Sequence, residues 1–88
     1  MTQRIRYRKQ ADGSFRTMDN YPHPSNGANF YIVLNETEKS FKVFDQMAGD
    51  VMVANGVHVN MEIVKKKAKQ ALIALGIQFA DPEKRNRV

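Results

Sequence analysis

Arg4, Arg6 and Arg8, with Lys9 beside them, are the residues whose type and spacing most directly suggest chemistry. In Arg4-Ile5-Arg6-Tyr7-Arg8-Lys9 charge and apolar bulk alternate, the period of a β-strand with Ile5 and Tyr7 on one face and the guanidiniums on the other. A strand rises roughly 3.3 Å per residue, so like charges on one face stand about 6–7 Å apart and repel. Such a row is tolerated in water, where charge also protects a sheet edge from aggregation. Its planar, fork-shaped donors equally suit a string of phosphates or the edges of guanines.

Other constellations carry less. His23 lies between two prolines and His58 in a strand-like segment, and no carboxylate or serine forms a local catalytic motif with either. Two isolated histidines without cysteine leave a metal site short of ligands. No glycine-rich phosphate loop is present, because turns and caps account for Gly13, Gly27, Gly49, Gly56 and Gly76. Asn35-Glu36-Thr37 matches a glycosylation sequon but reads as a hairpin turn. The expectation is therefore a non-enzyme with no catalytic residues, cofactor or metal.

The chain has 88 residues, a formal net charge of +5 and no cysteine, which excludes disulfides and thiol chemistry. Placement matters more than the total: residues 1–10 carry +4, 11–60 carry −3, 61–80 carry +3 and 81–88 carry +1. Two basic regions thus stand far apart in sequence, and a fold that joined them would make one basic surface. No run approaches the ~18 apolar residues of a membrane span. The first residues lack the apolar stretch of a secretion signal, so a cytoplasmic protein without membrane contact is expected.

Elements must position the arginines. Gln10-Ala11-Asp12-Gly13-Ser14 is a turn signal with two competing registers. A two-residue Asp12-Gly13 loop would put Ser14 and Arg16 on the Ile5/Tyr7 face. A three-residue loop, Ala11-Asp12-Gly13 with Gly13 left-handed, pairs Tyr7 with Thr17 and Lys9 with Phe15. The second register is preferred because a one-residue slip would expose the apolar set. It gathers Arg4, Arg6, Arg8 and Arg16 on one face.

Residues 19–29, with Pro22, Pro24 and Asn26-Gly27, read as a long loop. A second hairpin follows, pairing Leu34 with Phe41 and Ile32 with Val43 across a four-residue loop at Glu36–Lys39. Its Phe30/Ile32/Leu34/Phe41/Val43 face is the expected core, with Tyr31, Val33 and Phe44 opposite. Residues 46–60 are ambiguous: a short helical turn near 45–49, then a hairpin turning at Asn55-Gly56. A helix is expected over about 61–75, capped by Asn60 and Gly76, with Met61, Val64, Ala68, Ala71, Leu72 and Leu75 as its apolar stripe. Lys65, Lys66, Lys67 and Lys69 spread around the exposed side, with Lys66 near Glu62; ordinary solvation of a surface helix explains them better than a ligand does.

The fold class expected is α+β: antiparallel hairpins forming one sheet, with a single C-terminal helix packed on it, over residues 1–80, and a flexible polar tail at 81–88. The leading functional expectation is a nucleic-acid-binding module for DNA or RNA using Arg4, Arg6, Arg8, Arg16, Lys65, Lys66 and Lys69, with Tyr7, Tyr21 and Tyr31 as stacking candidates, of which Tyr7 fits the core better. The alternative is a small adaptor or inhibitor, a phage-type accessory protein among them, that docks its basic face on an acidic partner or extends a partner's sheet. A homodimer through edge-strand pairing is compatible with so small a core.

Overall fold

A computed structural model describes residues 5–78 of the chain. Arg4 and the tail at 81–88 lie outside the described residues. The sheet is antiparallel and six-stranded: β1 (Tyr7–Lys9), β2 (Phe15–Thr17), β3 (Tyr21–Pro22), β4 (Asn29–Asn35), β5 (Ser40–Asp45) and β6 (Val51–Val57). A single helix, α1 (Met61–Ala74), packs on it, so the chain is α+β. The strand order is β1-β2-β4-β5-β6, with β3 paired to β4 off that path.

The first hairpin adopts the three-residue register. Tyr7 pairs with Thr17, Arg8 with Arg16 and Lys9 with Phe15, and Gly13 takes φ 91°. Asp12 fixes the turn by accepting from the Ser14 hydroxyl at 2.6 Å and its backbone N–H at 2.9 Å. The second hairpin pairs Leu34 with Phe41 and Ile32 with Val43. Burial follows the period of two: Phe30, Ile32, Leu34, Phe41 and Val43 are buried, while Tyr31, Val33 and Phe44 opposite them are half-buried.

Two segments differ from expectation. Residues 19–29 are not wholly loop: Tyr21 pairs with Phe30 and Pro22 with Asn29, and Tyr21 joins the core. Between the β2 and β3 pairings the backbone N–H of Ile32 would lack a partner, and the buried Thr17 hydroxyl accepts it at 3.2 Å. Asn55-Gly56 is not a turn but the middle of β6. Asn55 pairs with Lys42 and Gly56 with Phe41, and Gly56 has no positive φ. Glycine is needed there because a Cβ would stand 2.6 Å from Cε1 of the Phe41 ring. The short helical turn expected before this strand is present at Gln46–Ala48, capped by Asp45.

α1 begins where Asn60 Oδ1 accepts from the Glu62 N–H at 2.9 Å. It ends in a Schellman pattern: Gly76 at φ 104° donates to Ile73 and Ile77 donates to Leu72, folding Ile77 back into the core. Val64, Ala68 and Leu72 are buried against the sheet, flanked by Met61, Ala71 and Leu75. One face of the sheet is thus covered. The other carries no layer of its own among the described residues.

Candidate nucleic-acid interface

Strand alternation sends Arg6, Arg8 and Arg16 to the open face, because Tyr7 and Thr17 between them turn toward the core. Arg8 lies directly opposite Arg16. Like charges placed so are destabilising. Neither guanidinium has an acid within salt-bridge distance among the described residues. Arg6 does, with Asp19 at 3.4 Å, but both side chains are well exposed and the pair is worth little.

The register carries this row onward. Arg8, Arg16, Val33, Lys42 and Asn55 are successive cross-strand partners from β1 to β6. Lys42 is exposed and belongs to the same face, a residue that sequence reasoning missed although its alternation with Phe41 and Val43 marks it. A second row, Tyr31, Phe44 and Met52, runs beside the first. The Tyr31 and Phe44 rings stack with centroids 5.3 Å apart at 23°. The Arg16 guanidinium lies over Tyr31, 4.0 Å from its centroid, a cation–π contact worth about 0.5–1 kcal/mol at an exposed site. A shallow depression of about 370 Å³ opens over these residues, lined by Arg16, Tyr31, Lys42 and Phe44 among others.

Acidic groups bound the basic area. Asp50 accepts from the Tyr31 hydroxyl at 2.9 Å. Partial burial, then this hydrogen bond and the Asp50 charge, raise the Tyr31 phenol above its ordinary pKa, with Arg16 opposing. Asp12 at the hairpin turn is held below the usual carboxylate range by its hydrogen bonds from Ser14.

The helix lysines do not join the arginines. α1 covers the core face, so Lys65, Lys66 and Lys69 stand on the layer opposite Arg8 and Arg16. Lys65, not Lys66, meets Glu62, at 3.6 Å. Lys69 is half-buried and Lys66 exposed. Of the three tyrosines considered for stacking, Tyr31 alone is on the open face; Tyr21 is buried and Tyr7 packs against the core.

Both histidines have local structural partners. His23 Nδ1 accepts from the Ser25 and Asn26 N–H groups at 3.0 and 3.1 Å, and its ring lies against Gly76. His58 Nδ1 accepts from the Asn60 N–H at 3.0 Å. No cluster of three or more metal-ligating side chains occurs among the described residues. No helix among them is long and apolar enough to cross a membrane.

The fold and this face define an α+β domain with a bare, basic, partly aromatic sheet surface. Comparison with known protein families, characterised proteins and solved structures finds no match to this chain.

Proposed function

We propose that this chain is a non-catalytic nucleic-acid-binding module whose open sheet face meets phosphates through Arg6, Arg8, Arg16 and Lys42. The observation that carries the reading is the cross-strand Arg8–Arg16 pair, two like charges with no acid in salt-bridge reach among the described residues. A bound polyanion would turn that repulsion into two charge-assisted contacts. Titration of labelled DNA and RNA tests it. Affinity should fall steeply between about 50 and 200 mM salt, with a log–log slope of roughly −0.7 to −0.9 per phosphate neutralised. An Arg8→Gln, Arg16→Gln double variant should bind more weakly with a shallower slope. Absence of binding to either polymer at low salt would reject the function.

A second reading rests on β6. This edge strand carries no charge, and Val51, Met52, Val53 and Val57 are 41–67% exposed. Its free edge is suited to extending the sheet of a second chain, a copy of this one included, although the Val53 bulge blunts it. Placing a charge at Val57 (Val57→Lys) should then abolish self-association seen by sedimentation and leave nucleic-acid binding intact. Sedimentation as a monomer at every concentration rejects self-pairing.

A further inference from the structure

Arg16, Tyr31 and Phe44 form a short column of planar groups across three adjacent strands. β4 lies between β2 and β5, so Tyr31 stands between the guanidinium on one side and the Phe44 ring on the other. Such a column offers flat surface at its two ends, beside Arg8 and beside Met52. Nothing in the core requires it, since the apolar set faces the helix. Guanidinium planes and aromatic rings are the side chains on which unpaired bases stack, whatever the base.

The shape of the face bears on which nucleic acid fits. Five strands side by side, spaced about 4.8 Å, set the outer two about 19 Å apart. A B-form major groove is only about 12 Å wide, so the face as a whole cannot enter one. Bases within a duplex also keep their π-faces occupied. A single strand laid flat meets neither obstacle. Its bases can stack on the column while Arg8 and Lys42, on the neighbouring row, take its phosphates. Asp50, hydrogen-bonded to the Tyr31 hydroxyl, repels phosphate at the opposite side and so sets where the backbone runs.

Resting on the nucleic-acid reading above, we propose that the ligand is single-stranded, with bases stacked on the Arg16–Tyr31–Phe44 column and phosphates held by Arg8 and Lys42. The test compares anisotropy titrations of a labelled mixed-sequence single strand, as DNA and as RNA, with the blunt duplex of the same sequence. The single strand should bind about tenfold or more tighter, and Tyr31→Leu and Phe44→Leu should each weaken it about tenfold. The salt slope should stay unchanged in these two variants, because stacking releases no counterions. The chain contains no tryptophan, so Phe44→Trp supplies a fluorophore at the column whose emission should be quenched by the single strand. Duplex binding as tight as single-strand binding, leucine variants that fold and bind like the parent, or an unquenched tryptophan in the bound state would each overturn the stacking proposal while leaving nucleic-acid binding in place. Failure of both polymers to bind at low salt would overturn both.

Discussion

Replacing Arg8 with Gln should stabilise the free protein and, on the function proposed above, weaken binding to nucleic acid. On either side of the Arg8–Arg16 pair, Gln10 bonds Ser14 and Met18 bonds Arg6 through the backbone. The alternation of an antiparallel ladder then makes Arg8 and Arg16 a hydrogen-bonded pair, with Cα atoms about 5.5 Å apart. The Arg16 guanidinium reaches over Tyr31, away from β1, which eases the repulsion without ending it. With charge centres about 8 Å apart and an effective dielectric of about 40–80 for this open face, the pair costs about 0.5–1 kcal/mol. At 0.15 M salt the screening length of about 8 Å leaves roughly a third of that, and at 1 M almost none. In a domain this size each kcal/mol moves Tm by about 4–8 °C. Arg8→Gln should therefore raise Tm by about 2–8 °C at low salt, by about 1–3 °C at 0.15 M, and not measurably at 1 M. Thermal scans by circular dichroism at the three salts read this directly. A lowered Tm, or a gain that persists at 1 M salt, would refute the electrostatic account of this pair.

Other outcomes follow from the same structure. Gly56→Ala should cost about 1–3 kcal/mol through the Phe41 clash, and in the Phe41→Leu background the cost should shrink by at least half. A turn glycine would show no such coupling in chemical denaturation. Thr17→Val should cost about 1–3 kcal/mol, because the Ile32 N–H is left buried without an acceptor; amide exchange at Ile32 should quicken with it. The Tyr7 phenol is raised above its ordinary 10.0 by burial and then by Tyr21, so its stabilising share is complete below pH 10 and is lost as pH climbs beyond it. Tyr7→Phe, removing a buried hydroxyl without a hydrogen-bond partner among the described residues, should leave stability nearly unchanged at pH 7 and lessen its decline above pH 10 in urea titrations. Lys65→Gln with Lys66→Gln should leave the salt slope of binding unaltered, since both lie on the helix layer; a slope that falls as far as in Arg8→Gln would move the site off the sheet face.

The hairpin registers were legible because parity decides them. Of the two turn lengths, only the three-residue loop puts Ile5, Tyr7 and Phe15 together, and the four-residue loop of the second hairpin pairs Leu34 with Phe41. The second register also implies the Tyr31–Phe44 pair, so half of the stacking column was within reach of the sequence. What parity cannot supply is the neighbour across β2 and β4, since the offset that sets Arg16 opposite Val33 depends on how a long connection closes. Asn55-Gly56 was misread for a related reason. Its glycine answers a long-range demand, the Phe41 ring, and local turn chemistry cannot be told apart from that without the partner strand. Tyr21 was hidden between prolines and loop residues, where two paired residues suffice to carry it into the core.

The separation of the two basic regions has its own logic. In a sheet covered by one helix, every strand residue faces either the helix or solvent, and a thin core spends all of one face on burial. Arg8 on β1 and Arg16 on β2 then stand on the open side, Lys9 shares the other face with Tyr7 and Phe15 on the edge strand, and charge on α1 points away from the sheet on the far side. Moving Arg8 or Arg16 to the helix side would carry a guanidinium into the apolar face of the hairpin, and burial of an unpaired charge opposes that. The charge that the fold gathers into one row on the open face is therefore neither the +4 near the start nor the +3 on the helix, but Arg8, Arg16 and Lys42, drawn from three strands by pairing alone. Their neighbours, Tyr31 and Phe44, are the only stacked aromatic pair on the described open face. Cation and ring arrive together because adjacent rows of one sheet face are two residues apart along β4 and β5, where Val33 and Lys42 stand beside Tyr31 and Phe44.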